Sequence, residues 1–190
     1  GVISSSVALH SHQVRAAMKV LSDPVQRYLL ADEVGLGKTI EAGFVIRQLM
    51  LDERDAQVVV VAPDTLRRQW RNELRTKFLI DDLPGTLRIS AHETPDKWHD
   101  YHGFDLVVVD EAHLLAAVVD PSASPYRELR DLCLSVPRVL LLSATPVLRR
   151  ETTQLALLHL LDDRLYNWDE LEAFRRRLKL RGDLARAVYS

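Results

Sequence analysis

Short runs of hydrophobic residues alternate along this chain with longer segments in which apolar and polar residues recur at helical spacing. Two of the short runs, Val58–Ala62 and Leu106–Val109, contain only apolar residues and are rich in β-branched valine. Such runs are typical of strands that are buried on both faces of a parallel sheet. Further strands are predicted at Tyr28–Ala31, at Val139–Leu142 and, on an edge, at Leu87–Ile89. The alternation predicts an α/β fold in which helices flank a parallel sheet.

The longer amphipathic segments predict helices before, between and after these strands. The predicted helices are Leu9–Leu21, Lys38–Leu51, a helix capped by Thr65 that ends near Phe78, and a helix opened by Ser124 and Pro125 that ends near Leu134. Thr94-Pro95 and Asn167 also resemble helix starts, the latter because Glu170 follows at capping-box spacing. From residue 151 to the end, the chain is predicted to be helical.

Composition and charge narrow the classes of function. The chain has 190 residues, 47% of them hydrophobic, which is enough for one domain with a sizeable core. A formal net charge of −2 argues against nucleic-acid binding through bulk positive charge, so any such contact must use local patches. The single cysteine, Cys133, rules out an intrachain disulfide framework and favours a reducing compartment.

No membrane or secretory segment is recognisable. Apolar runs stay well below the ~18 residues of a membrane span, and Gly1–Ser6 lacks the charged region and apolar core of a signal peptide. We therefore expect a cytoplasmic protein with no membrane partner. The excess of arginine over lysine favours a bacterial source, and the missing initiator methionine suggests a segment of a longer protein.

A glycine-containing loop joins the first predicted strand to the helix that begins at Lys38. Gly35 and Gly37 allow close approach of the backbone to phosphate oxygens, and the amides at the start of the helix attract an anion. In this arrangement Lys38 reaches the β- and γ-phosphates and the Thr39 hydroxyl binds Mg²⁺. The residues assigned to nucleotide binding in the loop are Gly35, Leu36, Gly37, Lys38, Thr39 and Ile40.

This loop departs from two common glycine patterns. The pattern G-x-x-x-x-G-K-S/T requires glycine at position 32, where the chain has Asp32. The dinucleotide pattern G-x-G-x-x-G fails because Ile40 occupies the place of its third glycine. On these residues alone, a glycine turn that merely caps a helix remains an alternative.

Two adjacent carboxylates, Asp110 and Glu111, follow the second fully apolar strand. Ligands of open α/β sheets bind at this end of the strands. Asp110 is therefore predicted to hold Mg²⁺ or its water shell, and Glu111 to orient and deprotonate an attacking water. The alternative is a solvated acidic turn that caps a helix starting at Ala112.

Four segments together resemble the superfamily-two helicases, and more closely the Swi/Snf-type translocases. They are DEVGLGKTIEAG at Asp32–Gly43, VAPDTLRRQW at Val61–Trp70, DEAH at Asp110–His113 and SATP at Ser143–Pro146. Aspartate at the start of the first motif is ordinary in this family. The strand DLVVVDEAH and the helical tail make the chain similar to the bacterial RapA-like members.

The resemblance implies one RecA-like P-loop NTPase lobe over residues 1–190, with 151–190 as its helical tail. It implies ATP and Mg²⁺ as cofactors, Lys38, Asp110 and Glu111 as catalytic residues, and Gln13 as the residue that recognises adenine. His113 and the segment Ser143, Ala144 and Thr145 are implied to couple nucleotide state to lobe movement. The implied partners are duplex DNA and a second RecA-like lobe that carries an arginine finger.

Several other residues have two interpretations each. Arg68 and Arg71 share one face of their predicted helix and either contact the nucleic-acid backbone or form a solvated face. The basic run 175–181 is predicted to be a solvated face. His92, His99 and His102 lack the further ligands of a zinc site. Trp70, Trp98 and Cys133 are predicted to be packing residues.

The functional alternatives also remain open. The leading prediction is a DNA-dependent ATPase that translocates on duplex DNA. An RNA-directed helicase of the same superfamily and a nucleotide-binding scaffold without turnover are the two alternatives. A GTP-binding switch is disfavoured, because the chain lacks an Asn-Lys-x-Asp string and has Gln13 where the family recognises adenine.

Overall fold

Five parallel strands form a single sheet in the computed structural model, which describes residues 11–32, 37–117, 120–144 and 150–177. The strands are β1 (Arg27–Asp32), β2 (Gln57–Ala62), β3 (Thr86–Ala91), β4 (Leu106–Val109) and β5 (Arg138–Ala144). Their order in the sheet is β1-β5-β4-β2-β3, and every neighbouring pair is parallel. The predicted α/β class is confirmed, and the predicted edge position of the third strand is confirmed.

Helices cover both faces of this sheet. They are α1 (Ser11–Ser22), α2 (Lys38–Asp52), α3 (Asp64–Phe78), α4 (Ala112–Ala116), α5 (Tyr126–Leu134) and α6 (Glu151–Leu161). Short 3-10 helices lie at Ile80–Asp82, Pro95–Tyr101 and Trp168–Glu170, and residues 171–177 are helical. Residues 9–10 of the first predicted helix and 178–190 of the predicted tail lie outside the described residues.

The core has two layers because alternate residues of each strand point to opposite faces. Val58 and Val60 of β2 join the layer that α1, α2 and α3 cover, whereas Val59 and Val61 join the layer that α4, α5 and α6 cover. All four side chains are fully buried. The continuous apolar runs of the sequence thus arise from strands buried on both sides.

Glycine at position 43 lets α2 pack closely against α3. A Cβ atom at Gly43 would lie 2.3 Å from Cε2 of Phe78. The Phe78 ring is fully buried and packs edge-on against Phe44, with ring centroids 5.1 Å apart. A methyl group at position 43 would therefore overlap a buried ring of the core.

We expect Gly43→Ala to destabilise the fold. Alanine would gain about 1 kcal/mol of helix propensity, but overpacking a core costs about 1–3 kcal/mol, and this contact is severe. The free energy of unfolding should therefore fall by about 1–2 kcal/mol. This loss should appear as a lower midpoint of urea unfolding, with the dependence of the free energy on urea concentration unchanged. Adding Phe78→Leu should return part of the loss that Gly43→Ala causes, and independent effects of the two substitutions would contradict this account.

The predicted helix caps are partly wrong. Thr65 lies inside the first turn of α3, where Pro63 has the N-cap position without a side-chain hydrogen bond. The Asp64 N–H instead donates to the Glu93 carboxylate, at 3.2 and 3.4 Å from its two oxygens. Thr94 has the predicted N-cap position, but its hydroxyl bonds the Ala91 carbonyl rather than the helix.

Two other predicted helix starts agree with the structure. Helix α5 begins at Tyr126, directly after Ser124 and Pro125. The Asn167 side chain accepts a hydrogen bond of 3.0 Å from the Asp169 N–H and so caps the 3-10 helix that begins at Trp168.

Candidate active site at the carboxyl ends of the strands

The predicted site residues follow strands that all end at the same edge of the sheet. Asp32 at the end of β1 pairs with Ala144 at the end of β5, and Val109 at the end of β4 pairs with Val61 of β2. Because parallel strands share one carboxyl edge, the described ends of β1, β4 and β5 all lie at that edge. This edge is where ligands bind in open α/β sheets.

Helix α2 presents its N-terminus at this edge. Gly37 lies at its N-cap with φ 92° and ψ 29°, a left-handed conformation that favours glycine, and its carbonyl accepts from the N–H groups of Ile40 and Glu41. Lys38 and Thr39 are the first two helical residues and are half-buried. The first N–H groups of a helix have no intrahelical partner and can therefore bind an anion. Gly35 and Leu36 lie outside the described residues.

Asp110 is held in place at the end of β4, with 8% of its surface exposed. Its backbone N–H donates to Val61 O at 2.8 Å, which extends the pairing of β4 with β2 by one residue. Its Oδ1 accepts from the Glu111 N–H at 2.9 Å, and its Oδ2 accepts from the Trp70 indole N–H at 2.8 Å. The carboxylate is therefore fixed on both oxygens, and each oxygen keeps a lone pair for a further ligand.

Glu111 has an unusual backbone. Its φ of 47° and ψ of 40° lie in the left-handed region, which a residue with a long side chain rarely adopts. Helix α4 begins at Ala112, but no side chain caps it. Burial of Asp110 and the uncapped helix argue against the interpretation of this pair as a solvated cap. Backbone strain of this kind is concentrated at functional sites.

His113 joins Glu111 to Ser143. Its Nδ1 lies 3.3 Å from Oε2 of Glu111 and 3.3 Å from Oγ of Ser143. Ser143 is fully buried in β5, and Ala144 ends that strand. One ring nitrogen therefore connects the segment after β4 with the end of β5. Thr145 lies outside the described residues.

Two residues at this edge were not predicted to belong to the site. Trp70 was predicted to be a packing residue and is buried, yet its indole N–H binds Asp110. His92 follows β3 and is buried, and its Nε2 has no hydrogen-bond partner among the described residues. Burial lowers the pKa of His92, against the opposing effects of the Asp110 backbone and the Glu93 and Asp110 carboxylates. The signal for Trp70 was present in the sequence, since a buried indole N–H needs an acceptor.

The basic residues of α3 divide into paired and unpaired groups. Arg67 pairs with Asp64 at 2.7 Å, and Arg75 pairs with Asp81 at 3.3 Å. Arg68 and Arg71 are exposed, and in the part of the chain that the structure describes no carboxylate lies within 4.0 Å of either guanidinium. Glu73, which could have neutralised this face, binds Lys77 at 3.2 Å.

The remaining candidates have the following positions. Gln13 lies in α1, and its side chain is outside the described residues. In the basic run, Arg175 pairs with Glu151 at 3.0 Å, which agrees with a solvated face, and 178–181 lie outside the described part. Among the residues with described positions, no cluster of three histidine, cysteine or acidic side chains fits a metal ion. None of the described helices has the length and apolar character needed to cross a membrane.

Three comparisons relate the chain to known proteins. The family model of the SNF2-related domain matches residues 11–87. The RNA polymerase-associated protein RapA of Pseudomonas aeruginosa is 34% identical over 201 aligned residues, which cover 94% of this chain and 21% of that protein. RapA of Pseudomonas putida is 35% identical, and the alignment covers 87% of this chain and 20% of that protein. The chain thus spans about a fifth of the length of the curated relatives that it matches.

The fold is also that of a solved ATPase core. The SWI2/SNF2 ATPase core of Sulfolobus solfataricus, in complex with double-stranded DNA, superposes with a TM-score of 0.73 at 16% identity. The match covers 89% of this chain and 39% of that one. A second structure, of the Sulfolobus solfataricus SWI2/SNF2 ATPase core domain, superposes with a TM-score of 0.72.

Proposed function

Since this chain belongs to the SNF2-related, Swi/Snf-like family of RecA-like lobes, we propose that it is the ATP-binding lobe of a motor that couples ATP hydrolysis to movement on duplex DNA. The observation that carries the proposal is the edge where the N-terminus of α2 and the pair Asp110 and Glu111 converge. The solved core with double-stranded DNA supports duplex DNA as the track. A second RecA-like lobe is the proposed partner within the full-length protein.

The nucleotide would bind across the start of α2. The helix N-terminus attracts phosphate oxygens, Gly37 allows the backbone to approach them, and Lys38 supplies a positive charge. The other proposed contacts come from Gly35, Leu36, Thr39 and Ile40, with Gln13 recognising adenine. Lys38, Asp110 and Glu111 are the proposed catalytic residues.

The chemistry of the side chains fits Mg²⁺. Hard oxygen ligands are what Mg²⁺ prefers, and Asp110 offers a carboxylate that its two N–H donors hold in one orientation. Thr39 offers a hydroxyl at the first turn of α2. These two residues would hold the ion, which would neutralise charge on the phosphates.

Glu111 is the proposed general base. Its left-handed backbone directs the chain out of β4 and into α4, which leaves the side chain half-buried beside the site. A carboxylate in this place can orient a water molecule and accept its proton. His113, which contacts both Glu111 and Ser143, is the proposed coupling residue, with Ser143, Ala144 and Thr145 relaying nucleotide state to the second lobe.

Nucleic acid is proposed to contact the exposed face of α3 through Arg68 and Arg71. Contacts of arginine to phosphate are independent of base sequence and sensitive to salt. Because the bacterial relatives are named RNA polymerase-associated proteins, RNA polymerase is the protein partner to test first. A bacterial cytoplasmic location follows from the same relatives as a proposal.

The test measures the ATPase rate of the full-length protein without nucleic acid and with duplex DNA, single-stranded DNA or RNA. Strong stimulation by duplex DNA supports the proposal, and Arg68→Ala with Arg71→Ala should then weaken both duplex affinity and its dependence on salt. Stimulation by single-stranded DNA or RNA instead would show that duplex DNA is not the substrate. Stimulation by RNA would favour an RNA-directed helicase. A rate that no nucleic acid raises above the Glu111→Gln blank would favour the nucleotide-binding scaffold.

A further inference from the structure

The indole of Trp70 connects α3 to the candidate Mg²⁺ ligand. Trp70 has 1% of its surface exposed, and its N–H donates to Oδ2 of Asp110 at 2.8 Å across 40 residues of sequence. The other buried tryptophan of the core, Trp98, donates to a backbone carbonyl, that of Ala91, at 3.2 Å. A buried indole N–H needs an acceptor. Of these two indoles, that of Trp70 uses the carboxylate of the candidate Mg²⁺ ligand, and that of Trp98 uses the backbone.

This contact fixes a torsion that is otherwise soft. The terminal torsion of an aspartate side chain has a broad distribution, so a carboxylate with one anchored oxygen can still rotate. The Glu111 N–H anchors Oδ1 of Asp110, and Trp70 anchors Oδ2. Removing the indole N–H would leave the anchor from the adjacent backbone and release the one from α3.

The same helix carries the exposed arginines. Arg68 and Arg71 flank Trp70 in sequence and face solvent, whereas Trp70 faces the core. Helix α3 follows β2 after a single residue, and the Glu93 carboxylate holds its first N–H group. A displacement of α3 therefore moves the Trp70 indole and with it the preferred orientation of the Asp110 carboxylate.

We propose that Trp70 is a positioning residue that holds Asp110 in its Mg²⁺-binding orientation and transmits the position of the nucleic-acid-facing helix α3 to it. The inference rests on the function proposed above. Loss of a group that orients a metal ligand typically lowers metal affinity by about 10–100-fold. Coupling between two binding sites is reciprocal. If duplex DNA on α3 changes the affinity for Mg²⁺-nucleotide at Asp110, then Mg²⁺-nucleotide changes the affinity for duplex DNA by the same factor.

The test compares Trp70→Phe with Trp98→Phe in the full-length protein. Both variants replace a buried indole by a phenyl ring, so their thermal midpoints report general packing damage. In a Glu111→Gln background that prevents turnover, fluorescent mant-ATP is titrated at increasing Mg²⁺, with and without duplex DNA. We expect Trp70→Phe to raise the half-saturating Mg²⁺ concentration about 10-fold or more, and to reduce the effect of DNA on it. Trp98→Phe should change neither the half-saturating Mg²⁺ concentration nor the effect of duplex DNA on it.

Two further measurements separate positioning from damage. In an Asp110→Asn background, Trp70→Phe should have little additional effect on the Mg²⁺ requirement. In the protein with native tryptophans, labelled with ¹⁵N at the indoles, Mg²⁺-nucleotide should shift the Trp70 indole resonance and leave that of Trp98 in place. This second experiment needs no folded Trp70 variant.

The outcomes distinguish this inference from the proposed function. Equal Mg²⁺ requirements in the two variants, or an unmoved Trp70 resonance, overturn the positioning role and leave the nucleotide-binding lobe intact. Absence of mant-ATP binding at any Mg²⁺ concentration in the Glu111→Gln protein overturns the proposed function, and the positioning role with it.

Discussion

The 190-residue chain alone should hydrolyse ATP about 10³–10⁵ times more slowly than the full-length protein on saturating duplex DNA. The resemblance to Swi/Snf-type motors places an arginine finger on a second lobe, and loss of such a finger has an effect of this size. Lys38, Asp110 and Glu111 of this lobe are the other catalytic groups that we propose. Steady-state ATPase assays of both proteins at equal concentration provide the comparison.

A control must show that slow turnover does not come from a misfolded lobe. The isolated chain should still bind mant-ATP in the presence of Mg²⁺, because the helix N-terminus and Asp110 are contained within it. Lys38→Ala should abolish that binding. Turnover by the isolated chain on the order of 1 s⁻¹, a typical enzymatic rate, would contradict the need for a second lobe.

Glu111→Gln in the full-length protein should lower kcat about 10²–10⁴-fold while ATP binding is retained. Glutamine keeps the size of the side chain and accepts the same backbone conformation, but it cannot take a proton from water at neutral pH. The measurement is kcat with saturating duplex DNA, together with mant-ATP affinity.

Glu93→Gln is the matched control, because Glu93 lies near the same edge and binds the first N–H of α3. An amide oxygen can still accept that hydrogen bond, so the rate should remain near the wild-type value. A kcat for Glu111→Gln close to that of Glu93→Gln would show that Glu111 is not the base.

The strands could be predicted from local sequence because burial on both faces leaves a continuous apolar run. Predicted Leu106–Val109 coincides with β4, and predicted Val58–Ala62 misses β2 by one residue. The order of the strands could not be predicted in the same way. The last strand, β5, inserts between β1 and β4, an arrangement that depends on packing between distant segments.

The helix caps show where local patterns fail. Thr65 has the residue type of an N-cap, but α3 begins before it, and Glu93 from the segment after β3 binds the Asp64 N–H. A carboxylate that approaches from another strand leaves no local trace in the sequence. For Trp70 the sequence could indicate that a buried indole N–H needs an acceptor, but not that the acceptor is Asp110, which lies 40 residues away.

The candidate site was predictable to the extent that it follows strand ends. Asp110, Glu111 and Ser143 lie at the predicted edge, and His113 contacts both Glu111 and Ser143, while its role as a relay stays a prediction. The left-handed backbone of Glu111 was not predicted, since glutamate has no preference for that conformation. It arises from the sharp change of direction between β4 and α4.

The most direct test of the central claim is displacement of a third DNA strand from a triplex by the full-length protein. A motor that moves along duplex DNA should displace the strand with ATP, and neither Glu111→Gln with ATP nor the wild-type protein with a non-hydrolysable analogue should do so. Duplex-stimulated ATP hydrolysis without displacement, or displacement that survives Glu111→Gln, would contradict the coupling of hydrolysis to movement.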